Sequence, residues 1–298
     1  MFDWESIRYL LAVAKAGTLS GAARELHVDH ATVGRRVAAL EAELRTPLIE
    51  RLPRSCRLTA AGASIVEQAR QMESAAFNVA REVKSRQVSL TGRVTLNASP
   101  VLATHFLAPR LFEFRQKYPE IQLSISAQAH QISLSRGEAD IAVRHVRPSE
   151  PSNVARRVGS MSFDIYASRT YPDLSTPERW VFIAYEREFY DMPQQKWLLD
   201  IADSRAVACE LSDISGHLIA AKSGVGVAGL PCFLGDVDAT LVKLDHENAL
   251  FSREIWLVTH RDMKRSAIVR TVMDYFAECF ATDPKLSLKR SSPTPNDS

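Results

Sequence analysis

Between residues 65 and 83 the chain repeats its apolar positions more regularly than anywhere else. Ile65, Ala69, Met72, Ala76, Val79 and Val83 step by four, three, four, three and four. A stripe with a 3.5-residue period stays on one face, so this stretch predicts a long helix carrying an a/d seam. Glu67, Arg70, Glu73, Arg81 and Glu82 flank the seam. Small alanines at two seam positions favour close pairing with another helix. The competing reading is a long core helix packed on its own domain.

What precedes the seam is helical at first. Trp4, Ile7, Leu11 and Ala14 predict a first helix that stops at Gly17, and Thr18 is placed to cap a second one carrying Leu19, Ala22, Ala23 and Leu26. After His27-Val28, Asp29 is the cap expected for a third helix, Ala31 to Leu44, with Val33, Val37, Leu40 and Leu44 as its buried stripe. His30, Thr32, Arg35 and Arg36, with Ala31 beside them, are left on its solvated face near the N-terminus. A short helix, a tight turn and a helix with a basic N-terminal face is the layout of a helix-turn-helix. Arginine can bond bidentately to guanine, and Thr or Ala methyls can touch thymine. Any small three-helix unit can also show two arginines to solvent, so this pair alone does not decide.

Residues 46–60, TPLIERLPRSCRLTA, then alternate apolar and polar positions, broken at Pro53-Arg54-Ser55. This predicts a β-hairpin with a basic tip, with Arg51 and Arg54 suited to phosphates or the minor groove. Whole-chain net charge is only +2, but from residue 45 to residue 57 Arg45, Arg51, Arg54 and Arg57 stand against Glu50 alone. Thr59 is the expected cap of the next helix, although Gly62 lies near its start.

Beyond Thr91-Gly92 the pattern changes to strand, helix, strand. Val94, Leu96 and Ala98 read as a strand; Ser99-Pro100 opens a helix to Lys117; Ile121, Leu123 and Ile125 read as a strand; a short helix reaches Gly137; and 139–143 is a third strand. A second such unit uses strands at 180–184, 206–209, 225–230 and 254–260, with helices at 194–202, 214–222 and 267–280. This order implies right-handed crossovers and parallel pairing. The fold class expected is α/β with an N-terminal all-α, winged helix-turn-helix domain. Its α/β part forms a two-subdomain, periplasmic-binding-protein-like pair around a cleft. The expected divisions are 1–62 for the winged helix-turn-helix, 63–90 for a dimerising linker helix, 91–282 for the effector-binding domain and 283–298 for a disordered tail. Open α/β sheets bind ligands at the carboxyl ends of their strands. That rule points to Ser99, Val101, Gln128, Arg144, His145, Leu211 and Ser212, though Ser99 and Ser212 would serve equally as plain helix caps. Arg144 and His145, if they face the cleft, would favour an anionic compound.

These stretches resemble the LysR-type transcription regulators. IRYLLAVAKAGTLSGAARELHV, ATVGRRVAALEAEL, PLIER and RLTAAG carry the likeness in the first part; GRVTLNASPVLATHFLAPRLFEFRQKYPEIQL, GEADIAVR and LIAAKSGVGVAGLP carry it in family order afterwards. Where the family usually starts its recognition helix with Ser-Gln, this chain has Asp29-His30, and Gly34 stands where Ser is common. The resemblance implies a bacterial, cytoplasmic regulator that binds double-stranded operator DNA as a homodimer or homotetramer and bends it. It also implies a small-molecule effector in the cleft, RNA polymerase as a partner if the protein activates, and no cofactor.

Several other signals point elsewhere and are weaker. Gly224 to Gly229 is formally GxGxxG, but the dinucleotide fingerprint needs a strand before it and a helix opening within it. Here a helix precedes and the segment itself reads as a strand. No HExxH, GxSxG or close His/Cys set occurs, so no enzyme chemistry and no metal site are expected. The scattered cysteines 56, 209, 232 and 279 suit a reducing compartment, and a redox switch between Cys209 and Cys232 is weighed against inert buried thiols. MFDWESIRYL lacks a secretory signal's basic and apolar regions, and no apolar run approaches a membrane span. The rival functions are an enzyme or transport-type binding protein built on the α/β part, and a constitutive architectural DNA binder.

Overall fold

A computed structural model of the chain describes residues 3–85, 90–128, 133–247 and 251–287. It divides into two compact units, Met1–Ala80 and Arg81–Ser298, each taken by itself below.

The first unit contains α1 (Trp4–Ala16), α2 (Leu19–Leu26), α3 (His30–Leu44), the hairpin β1 (Ile49–Leu52) and β2 (Ser55–Leu58), and most of α4 (Ala60–Ser85). The caps are where the sequence placed them. Thr18 Oγ1 accepts from Gly21 N at 2.9 Å, Asp29 Oδ1 from Thr32 N at 2.7 Å, and Thr59 Oγ1 from Gly62 N at 2.9 Å. Val33, Val37 and Leu40 are fully buried. On α1 the buried residues are Ser6, Ile7, Tyr9, Leu10, Ala12 and Val13, whereas Leu11 and Ala14 are only half-buried. That helix packs against both α2 and α3, which rotates the buried stripe away from the one read from the sequence. The expected division at residue 62 falls inside α4, because Val66 and Ala69 belong to this first core. Farther along the seam, Met72, Val79 and Val83 are exposed.

The hairpin is fixed at both ends. Glu41 Oε1, on α3, accepts from Leu48 N at 2.7 Å and Ile49 N at 3.1 Å. Cys56 N, on β2, donates to Gly17 O at 2.7 Å.

The second unit opens with β3 (Gly92–Ala98), followed by α5 (Pro100–Leu102), a π-helical turn (Ala103–Leu107), a 3-10 turn (Ala108–Arg110) and α6 (Leu111–Lys117). The sequence reads these last four as one helix. Pro109 has no N–H to give to the helical ladder, and the winding changes on either side of it. Next come β4 (Ile121–Ala127), β5 (Ile141–Arg144) and the long β6 (Asn153–Ser168). The helix expected before Gly137 lies partly on 129–132, outside the described residues; from 134 to 137 the chain forms turns. The second half adds β7 (Phe182–Tyr185), α7 (Pro193–Ala202), β8 (Val207–Leu211), α8 (Ile214–Lys222), β9 (Val227–Pro231), α9 (Cys232–Gly235), β10 (Leu241–Lys243), β11 (Phe251–His260) and α10 (Ala267–Thr282).

Among the described residues one sheet runs β4-β3-β5-β11-β6-β9-β7-β8, with β10 on β6. β3 pairs in parallel with β4 and β5, and β7 in parallel with β8 and β9. The two parallel halves are joined by antiparallel β6 and β11, whose ladder is interrupted by a bulge where Ile255 and Trp256 face Gly159 and Arg157. Residues 283–287, the start of the expected tail, pack on the rest of the unit. Asp283 pairs with Arg110 at 3.0 Å, Lys285 with Asp236 at 2.6 Å, and Leu286 is 0% exposed with its carbonyl accepting from Ser160 N at 2.8 Å. Residues 288–298 lie outside the described part.

Candidate functional site

Two sites emerge, one in each unit. In the first, α3 presents His30, Ala31, Arg35 and Arg36 to solvent, with Thr32 half-buried. Asp29 does more than cap. Its Oδ2 accepts from Thr32 Oγ1 at 2.8 Å while Thr32 Oγ1 accepts from Arg35 Nη2 at 3.0 Å, so a bonded chain orders the arginine. These hydrogen bonds hold the Asp29 carboxyl below the usual carboxylate range. Arg36 has a different setting: its Nη1 pairs with Asp3 Oδ2 at 3.2 Å and its guanidinium lies 5.9 Å from the Tyr9 ring centroid. The sequence treats the two arginines alike; the structure leaves Arg35 on the open face and ties Arg36 back to α1. Arg51 and Arg54 are exposed on β1 and at the hairpin tip.

The second site is a cavity of about 420 Å³ between the two halves of the sheet. Four of the sequence-derived residues line it: Ser99, Val101, His145 and Ser212. Ser99 stands at the N-cap of α5, but its hydroxyl makes no capping bond; its Oγ meets His145 Nε2 at 3.1 Å instead. The other three lie elsewhere. Gln128 is exposed after β4. The carbonyl of Leu211 accepts from His217 Nε2 at 3.2 Å. Arg144 lines a separate hollow with Leu134 and Val146, and its Nη1 donates to Asn97 Oδ1. Successive side chains on an extended segment point to opposite faces, so Arg144 and His145 cannot both face the cleft.

The strand-end rule also misses residues that the fold brings in. Met161 and Phe163 come from β6 and Arg253 from β11, the strands that connect the halves. Phe189 and Tyr185 form an aromatic wall, with ring centroids 5.9 Å apart. Arg253 Nη1 donates to Gln194 Oε1 at 2.9 Å. Asp213 lines the cavity too, but its Oδ1 caps α8 by accepting from Ser215 N and Gly216 N. Above α5, His105 Nε2 meets Ser215 Oγ at 2.9 Å, a bond from one half to the other.

Burial, aided by the charges of Arg253 and Arg144, pushes His145 down to about 4. The folded chain therefore refuses a proton that the unfolded chain accepts between pH 6.5 and 4, and stability falls as pH is lowered through that window. The expected loss is on the order of 3 kcal/mol. Urea unfolding at pH 7 and pH 4.5 should show the wild type losing more than His145→Gln; equal losses would remove His145 as the cause.

Burial pushes the Cys232 thiol up, against the reactive thiolate form. Among the described residues no cluster suited to a metal ion occurs, and no helix is long and apolar enough to cross a membrane.

Comparison with known proteins decides the family. The profile of the bacterial regulatory helix-turn-helix protein, lysR family, matches residues 4–63, and that of the LysR substrate binding domain matches residues 87–281. The chain belongs to the LysR family of transcriptional regulators. The Mau operon transcriptional activator of Paracoccus denitrificans is 26% identical over 94% of this chain and 97% of its own length. The AhcY transcriptional activator HvrB of Rhodobacter capsulatus is 29% identical over 76% of this chain and 80% of its own. In fold, the full-length Vibrio cholerae virulence activator AphB aligns over 92% of this chain and 98% of its own, with a TM-score of 0.57 at 20% identity. This LysR-type protein is thus a DNA-binding transcription regulator with an effector-binding domain, and not an enzyme. Regulators of the family bind operator DNA and small-molecule effectors, and they act as oligomers.

Proposed function

We propose that this regulator reads its operator with the exposed N-terminal face of α3, His30, Ala31, Thr32 and Arg35, while Arg51 and Arg54 of the hairpin hold phosphates. The observation that carries this reading is the bonded chain from Asp29 through Thr32 to Arg35, which presents one guanidinium in a fixed pose on an open surface. An ordered arginine discriminates bases; a loose one at a hairpin tip mainly neutralises charge. Arg35→Ala should therefore lose about 1–3 kcal/mol of discrimination between operator and random DNA. Arg54→Ala should weaken both alike and flatten the salt dependence. Arg36→Ala should discriminate better than Arg35→Ala, since Arg36 is held by Asp3. Fluorescence anisotropy with operator and scrambled duplexes measures all three, and parallel losses for Arg35→Ala on both duplexes would move the reading face elsewhere.

The exposed seam residues Met72, Val79 and Val83 are apolar surface suited to a second copy of α4, giving a homodimer or, through further contacts, a homotetramer. The cleft is the effector site. Its floor comes from β6 and β11, so a ligand bound there touches the strands on which the two halves turn. Closing them changes the surface this unit offers to its copies. Corynebacterium glutamicum LysG, a structural neighbour with a TM-score of 0.51, was solved with bound effector Arg, which supports a ligand-sensing role for the unit. We place the protein in the cytoplasm, with RNA polymerase as partner where the response is activation.

A further inference from the structure

The cleft holds a cation without a counter-charge. Arg253 is half-buried on β11, and the side chain it bonds is the neutral Gln194. Among the described residues no carboxylate stands within ion-pair distance of its guanidinium; burial lowers it, offset only by the phenol of Tyr185. A desolvated guanidinium with no carboxylate is an incomplete arrangement, and a bidentate carboxylate is the group that completes it. The surrounding walls are of the opposite kind. Val101, Met161, Phe163, Phe189 and Ile214 give the cavity an apolar interior. Its volume of about 420 Å³ lies toward the small end of small-molecule sites.

We propose that the effector is a small organic monocarboxylate with an apolar or aromatic body, its carboxylate paired with Arg253. This rests on reading the cleft as the effector site. One negative charge is all the cavity accommodates. His145 stays neutral and shares its Nε2 with Ser99, so it supplies no second cation. The exposed carboxylates of Glu188 and Asp191 border the cavity and repel a polyanion.

The test is thermal unfolding of the full chain with millimolar 3-phenylpropanoate, 4-methylpentanoate or hexanoate, each beside its primary amide and its amine. At least one acid should raise the melting temperature by a few degrees while its amide and amine do not. Arg253→Gln should abolish the shift, Arg253→Lys should retain part of it, and Arg115→Gln, an exposed arginine on α6, should retain all of it. Amides matching their acids would overturn the proposal, as would a shift that survives Arg253→Gln or the absence of any response to the acids. Amides or amines that shift the protein leave the cleft as a sensor and discard only the carboxylate. Footprinting of the DNA upstream of the protein's own gene tests the regulator reading separately.

Discussion

Gly62→Ala should abolish operator binding without touching a DNA-contacting residue. A Cβ at this position would lie 2.0 Å from the Leu48 carbonyl oxygen and 2.9 Å from its carbon. Those atoms are backbone and cannot rotate aside. The Leu48 carbonyl also accepts from Thr59 N at 3.0 Å, so the clash strikes the point where α4 starts beside the hairpin. The start of α4 must move out or the hairpin must detach from Glu41. Either outcome opens the core shared by Leu48, Val66 and Ala69. The expected cost is about 4 kcal/mol or more, against a total of about 4–12 kcal/mol for a unit of this size. Calorimetry of the full chain should show one transition lowered or lost and the other in place. A variant that binds operator normally would mean the approach of the two segments is looser than described.

Phe280→Ala should do the converse. Phe280 is fully buried on α10 and stacks on Phe106 with ring centroids 4.1 Å apart, while the Arg110 guanidinium covers the other ring at 3.7 Å. Removing the ring leaves a cavity between α10 and the π-helical turn, and Phe→Ala in such a setting costs about 3–5 kcal/mol. For a unit of about two hundred residues this lowers the melting temperature by about 10 °C. The transition of the first unit should not move, because its core, built on Leu10 and Leu40, shares no residue with this one. A joint shift of both transitions would show that the two units unfold together.

The contrast between these residues shows what a sequence reveals. Caps are local chemistry, and Thr18, Asp29 and Thr59 were legible because each bonds within three residues of itself. After residue 91, periodicity placed β3, β4, β5, β7, β8, β9 and β11 and helices α7, α8 and α10. Strand β6 was not: Arg156 and Arg157 are exposed, but from Val158 onward nearly every position is buried, because the strand passes from one half to the other. A segment that changes surroundings midway shows neither alternation nor an apolar run. Arg253 was missed for a related reason, since it lies near the beginning of an antiparallel connecting strand and not at the end of a parallel one. Gly62 looked like a flaw in a helix start; only the position of the Leu48 carbonyl explains it. Leu286 stands in a short, mostly polar stretch that predicts no element, yet it seats against Gly159, where a Cβ would meet its carbonyl oxygen at 2.4 Å.

The pair β6 and β11 joins the halves of the second unit by a hydrogen-bonded ribbon with a single bulge rather than by loose loops. Engineers distinguish a pin, which turns freely, from a flexure, which bends and stores the work. This junction is a flexure. Its restoring force is spread over a ladder of bonds, so opening and closing are smooth, bounded and without slack. A contact made near one end of the ladder, where Arg253 and Met161 face one another in register, loads the spring directly. A ligand of modest size, seated there, acts on both halves at once.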